Sequence, residues 1–435
     1  MKFLLIYVPN LRFPYKGDWH KRKLNEICLF FKGNGLSKSD LSNEGFPCIL
    51  YGELYTTYKN EVISDIVSKT TTTLSNPFLS KNNDLIIPGS GEDPIDIAVA
   101  RAIYQNDIIL GGDLNVLRPK SNVSAAFLSY QLNGVRRYDI AKKAQGKSIV
   151  HLHNSDLKEV CVSIPTYDEQ LHIVKLLTKI DKMIETQSKI IELKQSLIKD
   201  IEDKLLWKSA STYSRHISDF LTELNDKSKI QNQYPLLSST KKGLFLQTDY
   251  FNKEAASSNN IGYKIVHEGD IIISPQNLWM GNITYNDKFV NGLVSPSYRI
   301  YKVKEEYNAY YISRILMSYR ALSLYKNISE QGASIVRRNL NVDAFNELCF
   351  PIPNIKKQDE VSLFLSKLHQ ELNSEIEILR QLKNQKKYLL CNIIDHLIQK
   401  VSYCTYMCTI NDYARYRLYM RGKVLCLNTK TKNHL

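Results

Sequence analysis

The chain has 435 residues, of which 43% are hydrophobic and 23% charged, so it can bury several cores and is not disordered as a whole. A formal net charge of +14 favours binding to polyanions, first nucleic acid and second an anionic membrane surface. The sequence has no run of 18 apolar residues and no cleavable leader, so we expect a cytoplasmic protein that spans no membrane.

The positive charge is spread over the chain. Residues 1–145 and 208–330 each carry +4, and residues 401–435 carry +5. Eight cysteines occur without a Cys-x-x-Cys pair or a histidine at zinc spacing, so we interpret them as reduced thiols and expect no metal site.

The globular regions are predicted to be mixed, with more strand than helix. In residues 1–145, apolar runs at 85–87 and 108–110 lie between turn-forming residues and predict strands, and a short helix is predicted near 125–132. Residues 208–330 repeat this pattern, with strands at 271–273 and 298–301 and a helical stretch at 310–325.

Each globular region is followed by the same motif. Gln-Gly-Lys-Ser-Ile-Val at 145–150 recurs as Gln-Gly-Ala-Ser-Ile-Val at 331–336, a spacing of 186 residues. The same spacing aligns 83–87 with 269–273, and a spacing of 188 aligns Ile164-Pro165 with Ile352-Pro353. The chain is therefore predicted to be a tandem repeat.

A long heptad pattern follows each proline. Apolar residues recur at alternating spacings of three and four, interrupted by Gln187 and Lys194 in the first copy and by Glu375 and Lys386 in the second. The predicted helices cover about 168–207 and 357–396. The seam residues are Ile173, Leu177, Ile180, Ile184, Ile191, Ile198, Ile201 and Leu205, and then Val361, Leu365, Leu368, Leu372, Leu379, Leu382, Leu389 and Ile393.

Two matched seams in one chain favour helices that pack on each other. The predicted fold is α+β, with two mixed α/β modules in a pseudo-twofold arrangement, separated by two long helices packed as an antiparallel coiled coil. The alternative is two independent domains with unrelated helical arms. The predicted segments are 1–145 and 208–330 for the modules, 146–207 and 331–400 for the motif-plus-helix regions, and 401–435 for a basic tail, which we interpret as poorly ordered or altered.

Signatures of catalysis are incomplete. Gly146-Lys147-Ser148 lacks the first glycine of a phosphate-binding loop, and we interpret it as a turn. Asn76-Pro77-Phe78 is preceded by no glycine-rich cofactor loop. His151 and His153 have no third ligand, and we interpret them as surface or groove residues. These absences favour a binding role over a stand-alone enzyme.

The order of these features resembles the specificity subunit of type I restriction-modification enzymes over about residues 7–400. The resemblance rests on the repeated Gln-Gly-x-Ser-Ile-Val, the proline steps at 162–165 and 350–353, Gln170 and Gln358, and a long helix after each. The sequence departs from the family in three places: Lys357 replaces the glutamate found at Glu169, residues 1–6 precede the usual start, and residues 401–435 extend past the expected end.

The resemblance implies a non-catalytic subunit with two target-recognition domains, each reading one half of a bipartite DNA site. It also implies docking of two methyltransferase subunits and of two restriction subunits. S-adenosylmethionine, ATP and Mg²⁺ would be used by those partners, and no cofactor by this chain.

Base reading in such a protein needs Arg, Lys, Asn, Gln or Tyr side chains on the module loops. Each candidate has the alternative of being a solvated residue or a phosphate contact without sequence information. The candidates are Lys38, Tyr51, Tyr55, Arg101, Arg136 and Arg137 in the first module, and Lys241, Lys242, Gln276, Asn277, Asn282, Arg337 and Arg338 in the second.

Two other classes of function compete with DNA reading. A basic coiled-coil scaffold needs no divergence between its globular halves, whereas these halves differ while their helices match. A stand-alone methyltransferase or nuclease needs a cofactor loop or a carboxylate cluster, and the sequence shows neither.

Overall fold

The computed structural model of the chain describes residues 11–15, 17–134, 136–208, 212–241, 243–250, 259–334 and 337–394. These residues form two compact units: unit 1 extends to Lys189 and resumes at Glu377, and unit 2 is Ile190–Ile376. The predicted extension at 1–6 and the predicted tail at 401–435 lie outside the described residues.

Unit 1 is a mixed α/β module. Its strands are β1 (His20–Lys23), β2 (Cys28–Lys32), β3 (Leu41–Ser42), β4 (Phe46–Ile49), β5 (Val62–Ile63), β6 (Ser68–Thr70), β7 (Asp84–Pro88), β8 (Ser90–Gly91), β9 (Arg101–Ile103), β10 (Ile109–Leu110), β11 (Leu114–Pro119), β12 (Val150–His151) and β13 (Cys161–Ile164). Its helices are α1 (Leu24–Ile27), α2 (Glu53–Thr56), α3 (Pro94–Ile97), α4 (Ala125–Asn133), α5 (Arg137–Ala141), α6 (Asn154–Lys158) and the first part of α7 (Tyr167–Trp207), with a 3-10 turn at Lys38–Asp40.

The strands of unit 1 form two larger sheets and two two-stranded pairs. Five strands pair in the order β2-β11-β7-β9-β5 and four in the order β10-β4-β6-β3, while β1 pairs with β13 and β8 with β12. Strand β7 is buried along its whole length, as its uninterrupted apolar run predicts. Ile86, Ile103 and Val116 of the five-stranded sheet pack with Leu54 of α2 in one core.

Unit 2 is a second mixed module. Its strands are β14 (Thr212–His216), β15 (Leu221–Leu224), β16 (Leu237–Thr240), β17 (Gly243–Leu246), β18 (Lys264–His267), β19 (Ile271–Ile273), β20 (Ile283–Tyr285), β21 (Asn291–Val294), β22 (Arg299–Val303), β23 (Ser329–Ser334), β24 (Arg337–Leu340) and β25 (Cys349–Pro353). Its helices are α8 (Ile217–Phe220), α9 (Gln247–Tyr250), α10 (Ala309–Leu316), α11 (Tyr319–Asn327), α12 (Val342–Asn346) and most of α13 (Ile355–Leu389), with a 3-10 turn at Leu278–Met280. One turn of π-helix, Leu390–Ile394, follows α13 and belongs to unit 1.

The two units repeat one strand plan. Unit 1 has the antiparallel neighbours β2-β11-β7, and unit 2 has β15-β22-β19 in the corresponding places of a four-stranded sheet that ends with β20. The pair β1–β13 has its counterpart in β14–β25. Asn83 and Gly269, which are 186 residues apart, both adopt a left-handed backbone at the turn before the buried strand. The internal repeat of the sequence is thus a repeat of structure.

The remaining strands of unit 2 form the two-stranded sheets β16–β17, β18–β21 and β23–β24. The larger core of the unit joins Phe220, Ile271 and Tyr311 of the module to Val361 and Leu365 of α13. The long helices are therefore part of the module's core and are not appended to it.

The two long helices are close to their predicted lengths, since α7 is Tyr167–Trp207 and α13 is Ile355–Leu389. None of the predicted seam residues is exposed. Nine of them are buried: Ile173, Leu177, Ile180, Ile191, Ile198, Val361, Leu365, Leu372 and Ile393. The other seven are half-buried: Ile184, Ile201, Leu205, Leu368, Leu379, Leu382 and Leu389.

Three of the polar residues that interrupt the seam, Lys194, Glu375 and Lys386, form ion pairs. In unit 2, Lys194 Nζ lies 2.9 Å from Glu375 Oε1, and further along α7 Glu202 Oε1 lies 3.7 Å from His369 Nε2. Residue numbers rise along α7 while those of its partners in α13 fall, so the helices are antiparallel within this unit. The mixed α+β class with long paired helices is confirmed, and the pseudo-twofold arrangement stays a prediction.

One predicted element differs from the structure. The predicted helical stretch 310–325 consists of two helices, α10 and α11, and not of one continuous helix. Ser318 between them is extended, and its hydroxyl accepts a hydrogen bond from the N–H of Ala321, so it starts a new helix.

Of the cysteines in the described residues, Cys28, Cys48, Cys161, Cys349 and Cys391 are free thiols. No group of three or more potential metal ligands occurs within those same residues. None of the helices described has both the length and the apolar character needed to cross a bilayer.

Candidate nucleic-acid interface

In unit 2 the first four residues of the second motif copy, 331–334, lie in strand β23, which pairs with β24 to form the hairpin β23–β24. This hairpin lies against the loop that follows the buried strand β19. The N–H of Arg338 donates to the carbonyl of Gln276 at 3.4 Å, and the guanidinium carbon of Arg338 lies over the ring of Trp279, 4.7 Å from its centroid. We call Gln276, Asn277, Trp279, Asn282 and Arg338 the unit 2 hairpin surface.

The loop of this surface is held by its own hydrogen bonds. The Asn277 carbonyl accepts from the N–H groups of Met280 and Asn282, at 3.0 and 3.1 Å. Gly281 has a φ of +88°, a left-handed conformation that a glycine adopts without strain. The Asn282 side chain accepts from Ser239 Oγ at 2.9 Å and so ties the loop to strand β16. The loop therefore presents Gln276, which is exposed, on a fixed backbone.

The hairpin β16–β17 adds a lysine near this surface. Lys241 is exposed in the turn directly after β16, two residues from Ser239, which contacts Asn282. Lys242 and the side chain of Arg337 lie outside the described residues. Of the predicted unit 2 residues, the structure thus brings together Gln276, Asn277, Asn282 and Arg338, with Lys241 on the adjoining turn.

Unit 1 has the corresponding arrangement. Strand β12 pairs with β8 directly after the buried strand β7, with His151 opposite Ser90, and Ser90 Oγ lies 3.1 Å from His151 Nδ1. Gln145 and His151 exchange backbone hydrogen bonds of 2.9 and 2.7 Å, which closes the motif into a turn. Residues 90–91 are 186 positions before Gln276-Asn277, so the two surfaces are copies of one plan.

The turn in unit 1 explains the glycine of the motif. Gly146 has a φ of +132°, and a Cβ atom there would lie 2.0 Å from the carbonyl oxygen of Ile149. Only glycine fits, so Lys147 and Ser148 belong to a tight exposed turn, in agreement with our interpretation of that motif. The rings of His151 and His153 stack beside it with centroids 6.2 Å apart, and both residues are exposed.

One predicted DNA contact is wrong. Arg101 is 6% exposed, and its Nε donates to the carbonyls of Leu54 and Tyr58 at 3.2 and 3.1 Å. Burial lowers the pKa of this guanidinium, and nearby Glu61 partly offsets that effect. Arg101 therefore ties the short helix α2 to the sheet and is not available to a ligand at the surface.

The other unit 1 candidates lie on several elements, and of these Tyr55 is near the β8–β12 pair, since a Cβ atom on Gly91 would lie 3.8 Å from its hydroxyl. Arg137 donates to the carbonyl of Ile95 at 2.9 Å, and Arg136 pairs with Asp139 at 3.2 Å. Tyr51 and Tyr55 are half-buried and pack against the sheet core. Lys38 is exposed at the start of a 3-10 turn.

Sequence reasoning missed two sets of residues. Ser90 and His151 lie at the unit 1 hairpin, and the 186-residue spacing could have found them, because it already aligned them with Gln276 and Arg337. Trp279 had no comparable signal, because its contact with Arg338 joins residues far apart in the chain.

A glutamine near the start of each long helix forms hydrogen bonds with the module that precedes the helix. Gln170 is buried; its Oε1 accepts from the N–H of Ser124, and its Nε2 donates to the Pro165 carbonyl at 3.0 Å. Gln358 repeats this with the N–H of Asn308 and the Pro353 carbonyl, at 2.9 and 2.8 Å. The helix axes are thereby fixed to the modules that carry the hairpin surfaces.

The two copies differ at the helix start, where Glu169 of the first copy corresponds to Lys357 of the second. Glu169 is fully buried and accepts two hydrogen bonds from Arg12, at 2.8 and 2.7 Å, and a third from Trp19 Nε1 at 3.2 Å. Lys357, at the corresponding place, is half-buried and pairs with Glu360 at 3.2 Å on its own helix. The anion lost from the second copy is thus replaced by a local ion pair.

The chain is similar in sequence and in fold to known proteins. Residues 16–195 match the family model described as "Type I restriction modification DNA specificity domain". The crystal structure of a type I restriction-modification system S subunit from M. genitalium is similar, with a TM-score of 0.58 and 16% identity over 90% of this chain and 100% of that one. A structure reported for complex assembly and conformational transition of the type I R-M system matches with a TM-score of 0.52 and 12% identity, over 88% and 99% of the two chains.

Proposed function

Because residues 16–195 match the model of the type I restriction-modification DNA specificity domain, and the fold is similar to that of a type I S subunit, we propose that this chain is the DNA-reading subunit of such a complex. In this proposal each unit reads one half of a bipartite site. The chain performs no chemistry itself, and the methyltransferase and restriction subunits that it docks, two of each, use S-adenosylmethionine, ATP and Mg²⁺.

One observation carries the proposal. The two units share a strand plan and the repeated motif, yet their side chains differ in this region: exposed His151 beside buried Ser90 in unit 1, and exposed Gln276 with half-buried Arg338 in unit 2. A shared frame with divergent side chains is what a reader of two different half-sites needs, since base edges are read by side chains and the frame only positions them.

Charge supports the same function. Residues 1–145 and 208–330 each have an excess of +4, which attracts the phosphate backbone to each module without specifying a sequence. Sequence discrimination then falls to the few side chains on the hairpin surfaces.

The test is methylation sequencing of DNA from cells that express this chain with its partner methyltransferase. We expect methylated adenines in two short half-sites separated by a gap of fixed length. Cells that express the methyltransferase alone are the control and should lack this pattern. A continuous motif, or methylation that does not depend on this chain, would contradict the proposal and favour a scaffold without sequence reading.

A further inference from the structure

We propose that Arg338, held against Trp279, reads a guanine in the half-site bound by unit 2. The inference rests on the proposed function and goes beyond it by naming the reading residue, its positioning residue and the base. It assigns base reading, and not a phosphate contact, to this arginine.

Arg338 differs from most other arginines of unit 2 in its contacts. Arg314 and Arg320 are paired with Glu202 and Asp203, at 2.6 and 2.5 Å, and Arg299 is paired with Glu223. Arg338 has no carboxylate partner among the described residues, and its side chain contacts the ring of Trp279 instead. Its five N–H donors therefore face no competing protein acid in that part of the chain.

Trp279 restricts where those donors can point. The guanidinium carbon lies 4.7 Å from the ring centroid, within the range of a cation–π contact. A guanidinium that covers an aromatic face keeps the N–H groups at its edge free, because the ring occupies only the face. Trp279 is itself half-buried, and its indole Nε1 is buried without a hydrogen-bond partner among the described residues, so the ring serves as a packing surface for the arginine.

The backbone under Arg338 is also fixed. Residue 338 lies in β24, opposite Gln331 of β23, and its N–H donates to Gln276 in the well-held loop after β19. A side chain that starts from a paired strand and lies on a tryptophan loses less conformational entropy on binding than a free surface arginine. This preorganisation suits base reading, which needs a defined direction.

Guanine is the base that matches this donor set. Its major-groove edge offers two acceptors, O6 and N7, to the parallel N–H groups of a guanidinium, whereas adenine offers one acceptor and one donor. A phosphate contact needs only positive charge, and a lysine supplies that as a point charge. The two roles therefore predict different results for Arg338→Lys.

The experiment is selection of bound sequences from a randomised DNA library by the complex of this chain with its methyltransferase. The variants are R338K, W279A and W279F. The control is R215K, because Arg215 is exposed and lies 5.8 Å from the ring of Tyr213, on a strand that pairs with β25 and not with the hairpin.

We expect R338K to make one G·C position in one half-site degenerate, with the preference for guanine there falling by about 5- to 150-fold. The other half-site and the gap should not change. W279A should lose preference at the same position, W279F should restore most of it, and R215K should select the wild-type motif.

Three results would overturn the inference alone: an R338K motif identical to that of the wild type with binding weakened equally for all sequences, a wild-type motif without a G·C pair in either half-site, or a W279A variant that changes a different position. A wild-type complex that selects no bipartite motif would overturn the proposed function itself.

Discussion

Lys386 lies on the seam side of α13, where the heptad pattern calls for an apolar residue. Its side chain is 17% exposed, and its Nζ lies 2.6 Å from both Glu61 and Asp181. Tyr130 donates a hydrogen bond to Asp181 at 2.6 Å. Burial alone would lower the pKa of Lys386, but the two carboxylates outweigh it and raise the pKa above its ordinary value. Burial, with a smaller contribution from Glu61, raises the pKa of Asp181.

We expect Lys386→Met to lower the free energy of unfolding of unit 1 by about 3–5 kcal/mol at pH 7, because it leaves two carboxylates buried together without a cation. The measurement is chemical denaturation of the purified chain followed by circular dichroism. Lys383→Met is the matched control, since Lys383 is exposed on the same helix and its replacement should leave stability nearly unchanged.

The loss in Lys386→Met should shrink as the pH falls toward 5. Without the lysine, the pKa of Asp181 in the folded state should rise further above its unfolded value, so the folded state binds more protons than the unfolded state between these two values. Stability of the variant therefore rises as the pH drops into that window. An equal difference between variant and wild type at pH 7 and pH 5 would contradict this account of the cluster.

The heptad spacing of apolar residues predicts helices α7 and α13, but it does not predict how these helices are attached to the modules. Their lengths follow from apolar residues at heptad spacing, a local pattern that needs no knowledge of partners. Their attachment depends on Gln170 and Gln358, whose side chains accept hydrogen bonds from the N–H groups of Ser124 and Asn308. These donors directly precede α4 and α10 and are 46 and 50 positions away in the chain. The repeat aligned these glutamines, but only the folded modules show what they bind.

We expect Gln170→Ala and Gln358→Ala each to cost about 1–3 kcal/mol of unfolding free energy, because each leaves a backbone N–H without an acceptor, that of buried Ser124 or half-buried Asn308. Denaturation curves of the two variants test this. Gln370→Ala, an exposed position on α13, is the control, and a loss in the control equal to that in Gln170→Ala would refute a capping role.

At the scale of the whole molecule, both long helices contribute residues to both units, because α7 changes unit at Lys189 and α13 at Ile376. If the units read two half-sites, the length of these helices governs the gap between the half-sites. The ion pair of Lys194 and Glu375 identifies positions that face each other on the two antiparallel helices, so equal lengths of helix can be removed there from both.

We expect a double deletion of residues 191–197 and 372–378 to shorten the gap of the methylated motif by a few base pairs and to leave both half-sites unchanged. Each deletion removes one heptad centred on the Lys194–Glu375 pair, about 10 Å of helix, so the seam stays in register. Methylation sequencing measures the gap. Deleting 191–197 alone is the control and should destabilise the chain. An unchanged gap in the double deletion would contradict the hypothesis that helix length sets the gap between the half-sites.

The sequence by itself determined the features that depend on local or periodic patterns: the mixed class, the tandem repeat, the two long helices and the tight turn at Gly146. These follow from spacing and backbone sterics, which act over a few residues or repeat at a fixed interval. It also identified the hairpin motif that both units share, because two copies of one plan keep the same residues at its turns.

Only the tertiary structure decided which polar residues are free to bind. Arg101 was predicted to be a surface arginine, yet it donates to the carbonyls of Leu54 and Tyr58, and the side chain of Asn282 holds a loop. Arg338 meets Trp279 and Lys386 meets Glu61 across long stretches of chain. Contacts of this kind join residues distant in sequence, and their energies depend on burial and on the partners that folding supplies, so no local pattern encodes them.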